Sequence, residues 1–196
     1  MEKVYIAASR TIGERCKEWA KQNISEGFCL SDDINDCEIF ISVMYDKLLD
    51  ENFINSKKAC FNFHPGILPE YRGSGSYSWV IINGEDFAGV TLHEIDVSID
   101  HGNIIHIEKF PIKLDDTAGT LFDKAQDIIF SMFKNWFTRL LKGDYQSVPQ
   151  NEDKAKIYYR KDLEKAKNLT RYIRALTFPG KEGAYYVSDG KKIYLT

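Results

Sequence analysis

Three short apolar segments in the first third of the chain constrain the fold more than any other feature of the sequence. Residues 3–8, 38–44 and 59–64 are rich in β-branched and aromatic residues and carry few charges, which is typical of strands buried on both faces. A helical pattern of apolar residues covers about residues 13–22, and residues 47–58 are long enough for a short helix. Strands that alternate with helices predict an α/β fold with a mostly parallel sheet.

The second half of the chain adds two further strands and one long helix. Residues 88–95 and 104–110 are β-rich, and the short connection between them predicts an antiparallel pair. Between residues 117 and 141 apolar residues recur at steps of three and four, so we expect one helix that starts near Asp116 or Thr117 and stops at Gly143. Its wide apolar stripe must be buried, either against the core or against a partner subunit, so a homodimer is one of the two arrangements that would bury it.

Composition and charge exclude several classes of protein. The 196 residues are 43% hydrophobic and 28% charged, as in ordinary globular proteins, and a net charge of -3 gives no electrostatic case for a nucleic-acid partner. No apolar run approaches the ~20 residues of a membrane span, and the N-terminus lacks a secretory signal, so we expect a cytoplasmic protein with no membrane partner. The four cysteines lack metal-ligand spacing. They are expected to be reduced thiols, and no metal is expected.

Polar side chains at the end of the third predicted strand are candidates for chemistry. Asn62 and His64 are two residues apart, so their side chains leave the strand on the same face. Pro65 restricts His64 to an extended backbone, and the loop that follows resembles the ligand-binding edge of an open α/β sheet. An Asn amide suits stabilisation of an oxyanion, and a His can donate to the same oxyanion or shuttle a proton. Asp100, in a tight loop between two predicted strands, is the candidate carboxylate that orients the imidazole.

These three residue types favour direct acyl transfer between two substrates, because the chain has no G-x-S-x-G elbow for a covalent nucleophile. Structural roles are the alternative reading of the same residues. A lone His on a strand commonly satisfies a core hydrogen bond, and a lone Asp in a loop commonly forms a turn.

Three separated motifs in the chain resemble those of a known family. The chain contains N-x-H-P-x-x-L-P-x-Y-R-G, then N-G-E-x-x-x-G-V-T-x-H, then D-x-G-N-I-I. In this order and spacing they resemble the 10-formyltetrahydrofolate-dependent formyltransferases, which include methionyl-tRNA, glycinamide ribonucleotide and sugar-amine enzymes. The resemblance implies a Rossmann-like formyltransferase fold and 10-formyltetrahydrofolate as co-substrate. It also implies that Asn62, His64 and Asp100 hold the catalytic positions.

Folate contacts follow from the same resemblance. They are expected in the loop after the second predicted strand, at Met44, Tyr45 and Leu48, and along the backbone just before the catalytic Asp, from Ile95 to Val97. The resemblance further implies a cis peptide bond between Leu68 and Pro69.

The chain departs from the family in two places. Gly66 follows the His-Pro pair where the family usually has Ser. The N-terminal part is also shortened, because only about 30 residues separate the first strand from segment 38–44, where one more βα unit is expected.

Residues 150–196 are interpreted as a small C-terminal extension of a catalytic domain that spans residues 1–149. The extension is predicted to contain a helix over about residues 161–176 and a hairpin with its turn at Asp189-Gly190. The methionyl-tRNA enzymes carry a larger C-terminal domain and a basic surface, which this acidic chain does not match.

The acceptor is indicated by the extension. Residues 173–180, with Pro149-Gln150 and residues 159–161, resemble the tail of the sugar N-formyltransferases, so the expected acceptor is a nucleotide-linked amino sugar. Three alternatives stay open: a glycinamide-ribonucleotide acceptor, hydrolysis of the formylfolate by water, and a folate or sugar-nucleotide binding module without turnover.

Overall fold

A computed structural model describes residues 1–165, 168–188 and 190–195. The strands are β1 (Glu2–Ala8), β2 (Phe28–Leu30), β3 (Ile39–Val43), β4 (Ala59–His64), β5 (Arg72–Gly73), β6 (Phe87–Glu94), β7 (Ile104–Pro111), β8 (Ile157–Tyr158), β9 (Tyr185–Ser188) and β10 (Lys191–Tyr194). The helices are α1 (Thr11–Asn23), α2 (Glu51–Asn55), α3 (Ser76–Asn83), α4 (Ala118–Lys142) and α5 (Leu169–Leu176), with 3-10 helices at Glu152–Lys154 and Arg160–Lys165.

A six-stranded sheet is formed within residues 2–111, with the strand order β2-β1-β3-β4-β6-β7. The first four strands in this order are parallel to one another, whereas β6 is antiparallel to both β4 and β7. The predicted α/β fold, its mostly parallel sheet and its antiparallel strand pair are therefore confirmed.

The register of the central strands brings polar residues together. Ser42 on β3 lies opposite Asn62 on β4, and Asn62 lies opposite His93 on β6. The residues on either side of Ser42 and Asn62 are buried and apolar, so this polar row stands out at the edge where β3 and β4 end. Ligands of open α/β sheets bind at this edge.

Helix α4 covers one face of the sheet and has the predicted limits. Thr117 caps its start through a reciprocal pair of hydrogen bonds with Thr120, and Gly143 ends it in the left-handed conformation with φ 68°. Phe137, on the apolar stripe that needs cover, is fully buried, and burial of such a ring contributes about 1.5–3 kcal/mol. Trp136 is only partly buried, with its ring 5.4 Å from that of His106.

Several elements are not evident from the sequence pattern. Strand β2 contains three residues and β5 and β8 contain two each, too few for a recognisable period. Helix α3 has no clear polar face because it is buried on several sides. Of the additional βα unit expected in the N-terminal part, strand β2 is present, whereas residues 31–38, all of them described, form no helix.

The C-terminal part differs from its prediction in one respect. The single helix expected over residues 161–176 is wrong, because the 3-10 helix Arg160–Lys165 and α5 are separate elements with residues 166–167 outside the described chain. The hairpin is confirmed by the antiparallel pairing of β9 and β10. Of its predicted turn, Asp189 lies outside the described residues, and Gly190 has φ 73°.

Two expectations from composition can be compared with the described residues. All four cysteines are free thiols. None of the helices in residues 1–165, 168–188 and 190–195 combines the length and the apolar character needed to cross a membrane.

Candidate active site

The three predicted catalytic residues converge at the carboxyl end of β4. The loop between β6 and β7 folds back over this end and places the Asp100 carboxylate between the other two side chains. Asp100 Oδ1 lies 3.4 Å from Asn62 Nδ2, and Asp100 Oδ2 lies 3.4 Å from His64 Nδ1.

Asp100 is fixed by its surroundings and by its backbone. The Gly73 N–H donates a 2.9 Å hydrogen bond to Oδ2. The residue has φ 48°, in the left-handed region that Asp tolerates better than most residues. Two residues on, Gly102 passes so close to the Glu94 carbonyl that a Cβ would overlap it, so the loop can follow this path only with glycine there.

His64 is buried, with both ring nitrogens facing acceptors. Its Nε2–H donates a 2.7 Å hydrogen bond to the Tyr71 carbonyl, which leaves Nδ1 directed at Asp100. Burial lowers the pKa of His64 below its ordinary value, although the Asp100 carboxylate and the Tyr71 carbonyl oppose the effect. The neutral ring therefore presents an unprotonated Nδ1 to a carboxylate, a position in which it can accept a proton.

The carboxyl group of Asp100 is the ionised member of this pair. Burial alone would raise its pKa, but the positive charge that the His64 and His93 rings carry when protonated, together with the Gly73 N–H, outweighs burial and lowers the pKa well below its usual range. A carboxylate and a neutral imidazole side by side share one further proton readily, and they titrate as a pair.

Two residues without a predicted role, Ser42 and His93, orient Asn62. The Ser42 hydroxyl donates to Asn62 Oδ1 at 2.7 Å, and Asn62 Nδ2 donates to His93 Nε2 at 3.1 Å. The other nitrogen of His93 donates to the Glu94 carbonyl, which leaves Nε2 free to accept. The amide nitrogen of Asn62 is thereby held toward Asp100. The G-V-T-x-H motif contains His93, but its contact with Asn62 depends on strand register.

Packed aromatic rings support Tyr71, whose carbonyl accepts the hydrogen bond from His64. The Tyr71 ring lies 5.2 Å from the Tyr158 ring, which in turn lies 4.7 Å from Trp79. The Tyr71 hydroxyl donates to Glu85 at 2.6 Å. Tyr158 belongs to β8, which pairs with β5, so the segment after residue 149 supports the site directly.

Gly66 has a steric explanation. A Cβ at this position would lie 2.6 Å from His64 Nε2 and 2.9 Å from the Tyr71 carbonyl oxygen. Glycine therefore allows the bond between His64 and Tyr71 to form without displacement. The predicted cis peptide bond between Leu68 and Pro69, in the same loop, is confirmed.

The residues predicted from the resemblance to contact folate lie in two loops near the site. Tyr45 and Ile95 pack against one small buried cluster, formed by Ala7, Cys37, Phe40 and Cys60. Met44 points instead to the main core, with φ 55°. Leu48 and Val97 are large apolar side chains that are 85% and 61% exposed.

The described residues contain no group of three or more His, Cys, Asp or Glu side chains arranged to hold a metal ion.

The chain combines a mostly parallel α/β sheet with Asn, His and Asp side chains at the carboxyl edge of that sheet. Comparison with known protein families shows which class of proteins the chain belongs to. The formyl transferase family model matches residues 30–133, which include all three residues, and the N-formyltransferase dimerization C-terminal domain matches residues 163–196. The first match covers more than half of the chain. The chain belongs to the formyltransferase family.

Curated relatives include enzymes with different acceptors. The chain is 32% identical over 170 residues to the GDP-perosamine N-formyltransferase of Brucella melitensis, covering 82% of this chain and 64% of that protein. It is 33% identical over 167 residues to the methionyl-tRNA formyltransferase of Lactobacillus gasseri, covering 79% and 52%. It is 33% identical over 165 residues to the bifunctional polymyxin resistance protein ArnA of Wigglesworthia glossinidia brevipalpis, covering 80% and 25%. The chain thus spans between a quarter and two thirds of these relatives.

Solved structures share the fold over most of the chain. A sugar N-formyltransferase from a Shewanella species superposes with a TM-score of 0.83 at 20% identity, covering 100% of this chain and 96% of that one. An N-formyltransferase from Helicobacter canadensis, determined with folinic acid and dTDP-3-aminofucose, superposes with a TM-score of 0.78 at 25% identity, covering 91% and 81%.

Proposed function

We propose that the chain transfers a formyl group from 10-formyltetrahydrofolate to the amino group of a nucleotide-linked amino sugar. The observation that carries the proposal is the convergence of Asn62, His64 and Asp100 at the carboxyl edge of the sheet in a member of the formyltransferase family. The acceptor class is supported by the GDP-perosamine N-formyltransferase and by the Helicobacter canadensis protein that binds folinic acid and dTDP-3-aminofucose.

The reaction begins with attack of the acceptor nitrogen on the formyl carbon. A carbon–nitrogen bond forms, and the formyl oxygen gains negative charge. Asn62 Nδ2 is the donor to this oxyanion: its contact with His93 holds one N–H in place, and the second N–H, which makes only a long 3.4 Å contact with Asp100 Oδ1, turns to the oxyanion when the substrates are bound. One preorganised donor of this kind contributes roughly 3 kcal/mol to stabilisation of the transition state.

The attacking nitrogen becomes acidic and must lose a proton. Asp100 and His64 receive this proton as a pair, directly or through a water, and it ends on His64 Nδ1 opposite the carboxylate. The imidazolium then donates from Nδ1 to Asp100 and from Nε2 to the Tyr71 carbonyl, so that both of its N–H groups are satisfied. Because both nitrogens face protein acceptors, His64 acts here as the proton carrier rather than as a direct donor to the oxyanion.

Collapse of the tetrahedral intermediate completes the transfer. The carbonyl re-forms, the bond between the carbon and N10 of the folate breaks, and N10 takes the proton that the Asp100–His64 pair returns. The pair ends in its starting state, and no covalent enzyme intermediate is formed.

Folate is proposed to bind between the loop at residues 44–48 and the backbone at residues 95–97. Tyr45 and Ile95 share a buried cluster, which supports a single cleft between these loops. Leu48 and Val97 expose apolar surface there that a planar ring could cover.

The chain is proposed to consist of a catalytic domain, residues 1–149, and a C-terminal extension, residues 150–196. The extension is proposed to form a homodimer interface. The β9–β10 hairpin exposes Tyr186, Val187, Ile193 and Tyr194, and its region matches the dimerization domain. We place the protein in the cytoplasm, which the four free thiols support.

The function is tested with 10-formyltetrahydrofolate and a panel of nucleotide-linked amino sugars, together with glycinamide ribonucleotide. Mass spectrometry should show a gain of one formyl group on an amino sugar. Formate release without an acceptor would identify a hydrolase, and a product from glycinamide ribonucleotide would reassign the acceptor. Folate binding with neither reaction would refute the proposed activity.

A further inference from the structure

Gln150 connects the start of the C-terminal extension to the backbone of the catalytic loop. Its Nε2 donates hydrogen bonds to two carbonyl oxygens, those of Asp100 and Gly102, and both are 2.8 Å long. An amide nitrogen has two hydrogens, so this loop uses the full donor capacity of the side chain.

Arg72 determines which way the Gln150 amide faces. Its Nε and Nη2 donate to Gln150 Oε1 at 3.0 and 2.8 Å. A guanidinium has only donors, so the amide oxygen must face Arg72 and the nitrogen must face the loop. Arg72 is buried and also pairs with Glu152 through two hydrogen bonds, at 2.6 and 3.1 Å, so it has little freedom to turn away.

The loop needs such a clamp because of its conformation. Asp100 has a positive φ, and its carboxylate must reach Gly73, His64 and Asn62 from that backbone position. The carbonyls of Asp100 and Gly102 converge on one point, where the Gln150 nitrogen is the donor to both. Loss of that donor would leave two partly buried carbonyls unpaired and allow the loop to relax.

We propose that Gln150, oriented by Arg72, is a positioning residue that holds Asp100 against His64 and Asn62. The segment after residue 149 therefore completes the active site. The inference rests on the proposed function, because the role of Asp100 in proton transfer is taken from it.

A kinetic double-mutant cycle tests the positioning role. Gln150→Ala should lower kcat by ~10- to 100-fold, the effect of small misplacements of a reacting group, with little change in KM for 10-formyltetrahydrofolate. Gln150→Glu, which keeps the size and the contact with Arg72 but has no N–H, should be equally slow. Added to Asp100→Asn, Gln150→Ala should have almost no further effect, because it acts through Asp100. Gln146→Ala, at an exposed residue nearby, is the matched control.

Amide hydrogen exchange tests the clamp without reference to activity. In Gln150→Ala, exchange in residues 96–102 and at Gly73 should accelerate by ~10-fold, the effect of a lost hydrogen bond, while α4 stays unchanged. A parent protein that transfers no formyl group would refute the proposed function, and exchange would then decide this inference alone. Unchanged exchange, a kcat within three-fold of the parent, or a loss that multiplies fully with Asp100→Asn would each overturn it.

Discussion

Asp100→Asn separates the chemical role of the carboxylate from its structural role. Asn keeps the size of Asp and can still accept the hydrogen bond from the Gly73 N–H. It cannot carry a negative charge or take part in proton transfer. The variant should fold and bind folate, but it should form product slowly.

The expected loss follows from the geometry of the pair. His64 Nδ1 and Asp100 Oδ2 are 3.4 Å apart. Opposite unit charges at that distance attract by about 5 kcal/mol at an effective dielectric constant of about 20. This attraction appears only when the amine proton reaches His64. Hydrogen bonding retained by Asn offsets part of it and leaves about 3 kcal/mol, which corresponds to a turnover rate lower by ~100-fold or more.

The assay compares product formation, folate affinity and thermal unfolding in the parent and the variant. Asp115→Asn changes charge by the same amount at an exposed position and should behave as the parent does. Folate affinity should change much less than turnover in Asp100→Asn. A folded variant that binds folate and turns over within a few-fold of the parent would refute the role given to Asp100.

Three further predictions concern the site and the assembly. Gly66→Ala places a Cβ 2.6 Å from His64 Nε2, and overpacking by about 1–3 kcal/mol should lower the melting temperature and turnover. Gly183→Ala, in open space, should change neither. Burial lowers the pKa of His64 from its ordinary 6.5, so its contribution to stability is present above pH 6.5 and lost as pH falls through the folded pKa. The denaturation midpoint of the parent should therefore fall as the pH is lowered below 6.5, and it should fall less steeply in His64→Gln. An equally steep fall in the variant would contradict the lowered pKa of His64. Val187→Asp should convert a dimer to monomers in sedimentation, and an unaltered dimer would exclude this surface.

Local sequence patterns determined the main elements of the fold. The apolar runs predicted β1, β3 and β4, and the steps of three and four predicted α4, because both periods arise within one segment. The ends of α4 were also evident, since Thr117 and Gly143 satisfy the helix ends through their own conformations. Elements of two or three residues, and a helix buried on several sides, carry no such period.

The candidate site was predictable in part. The two-residue spacing places Asn62 and His64 on one face of a strand. The tight loop between two predicted strands makes Asp100 a candidate, and the family motifs give it the catalytic position. The predicted folate contacts at Met44, Tyr45, Leu48, Ile95 and Val97 remain predictions, although two of them pack on one cluster.

The contacts that hold these side chains in place arise from long-range folding. Strand register set Asn62 between Ser42 and His93, and chain folding brought the Tyr71 carbonyl to His64 and the amide of Gln150 to the Asp100 loop. Register and backbone contacts join residues far apart in the chain, and no local spacing encodes them. Local sequence patterns indicate which chemical groups are present and which strand carries two of them. Packing determined their orientation and protonation, because burial and charge partners exist only in the folded chain.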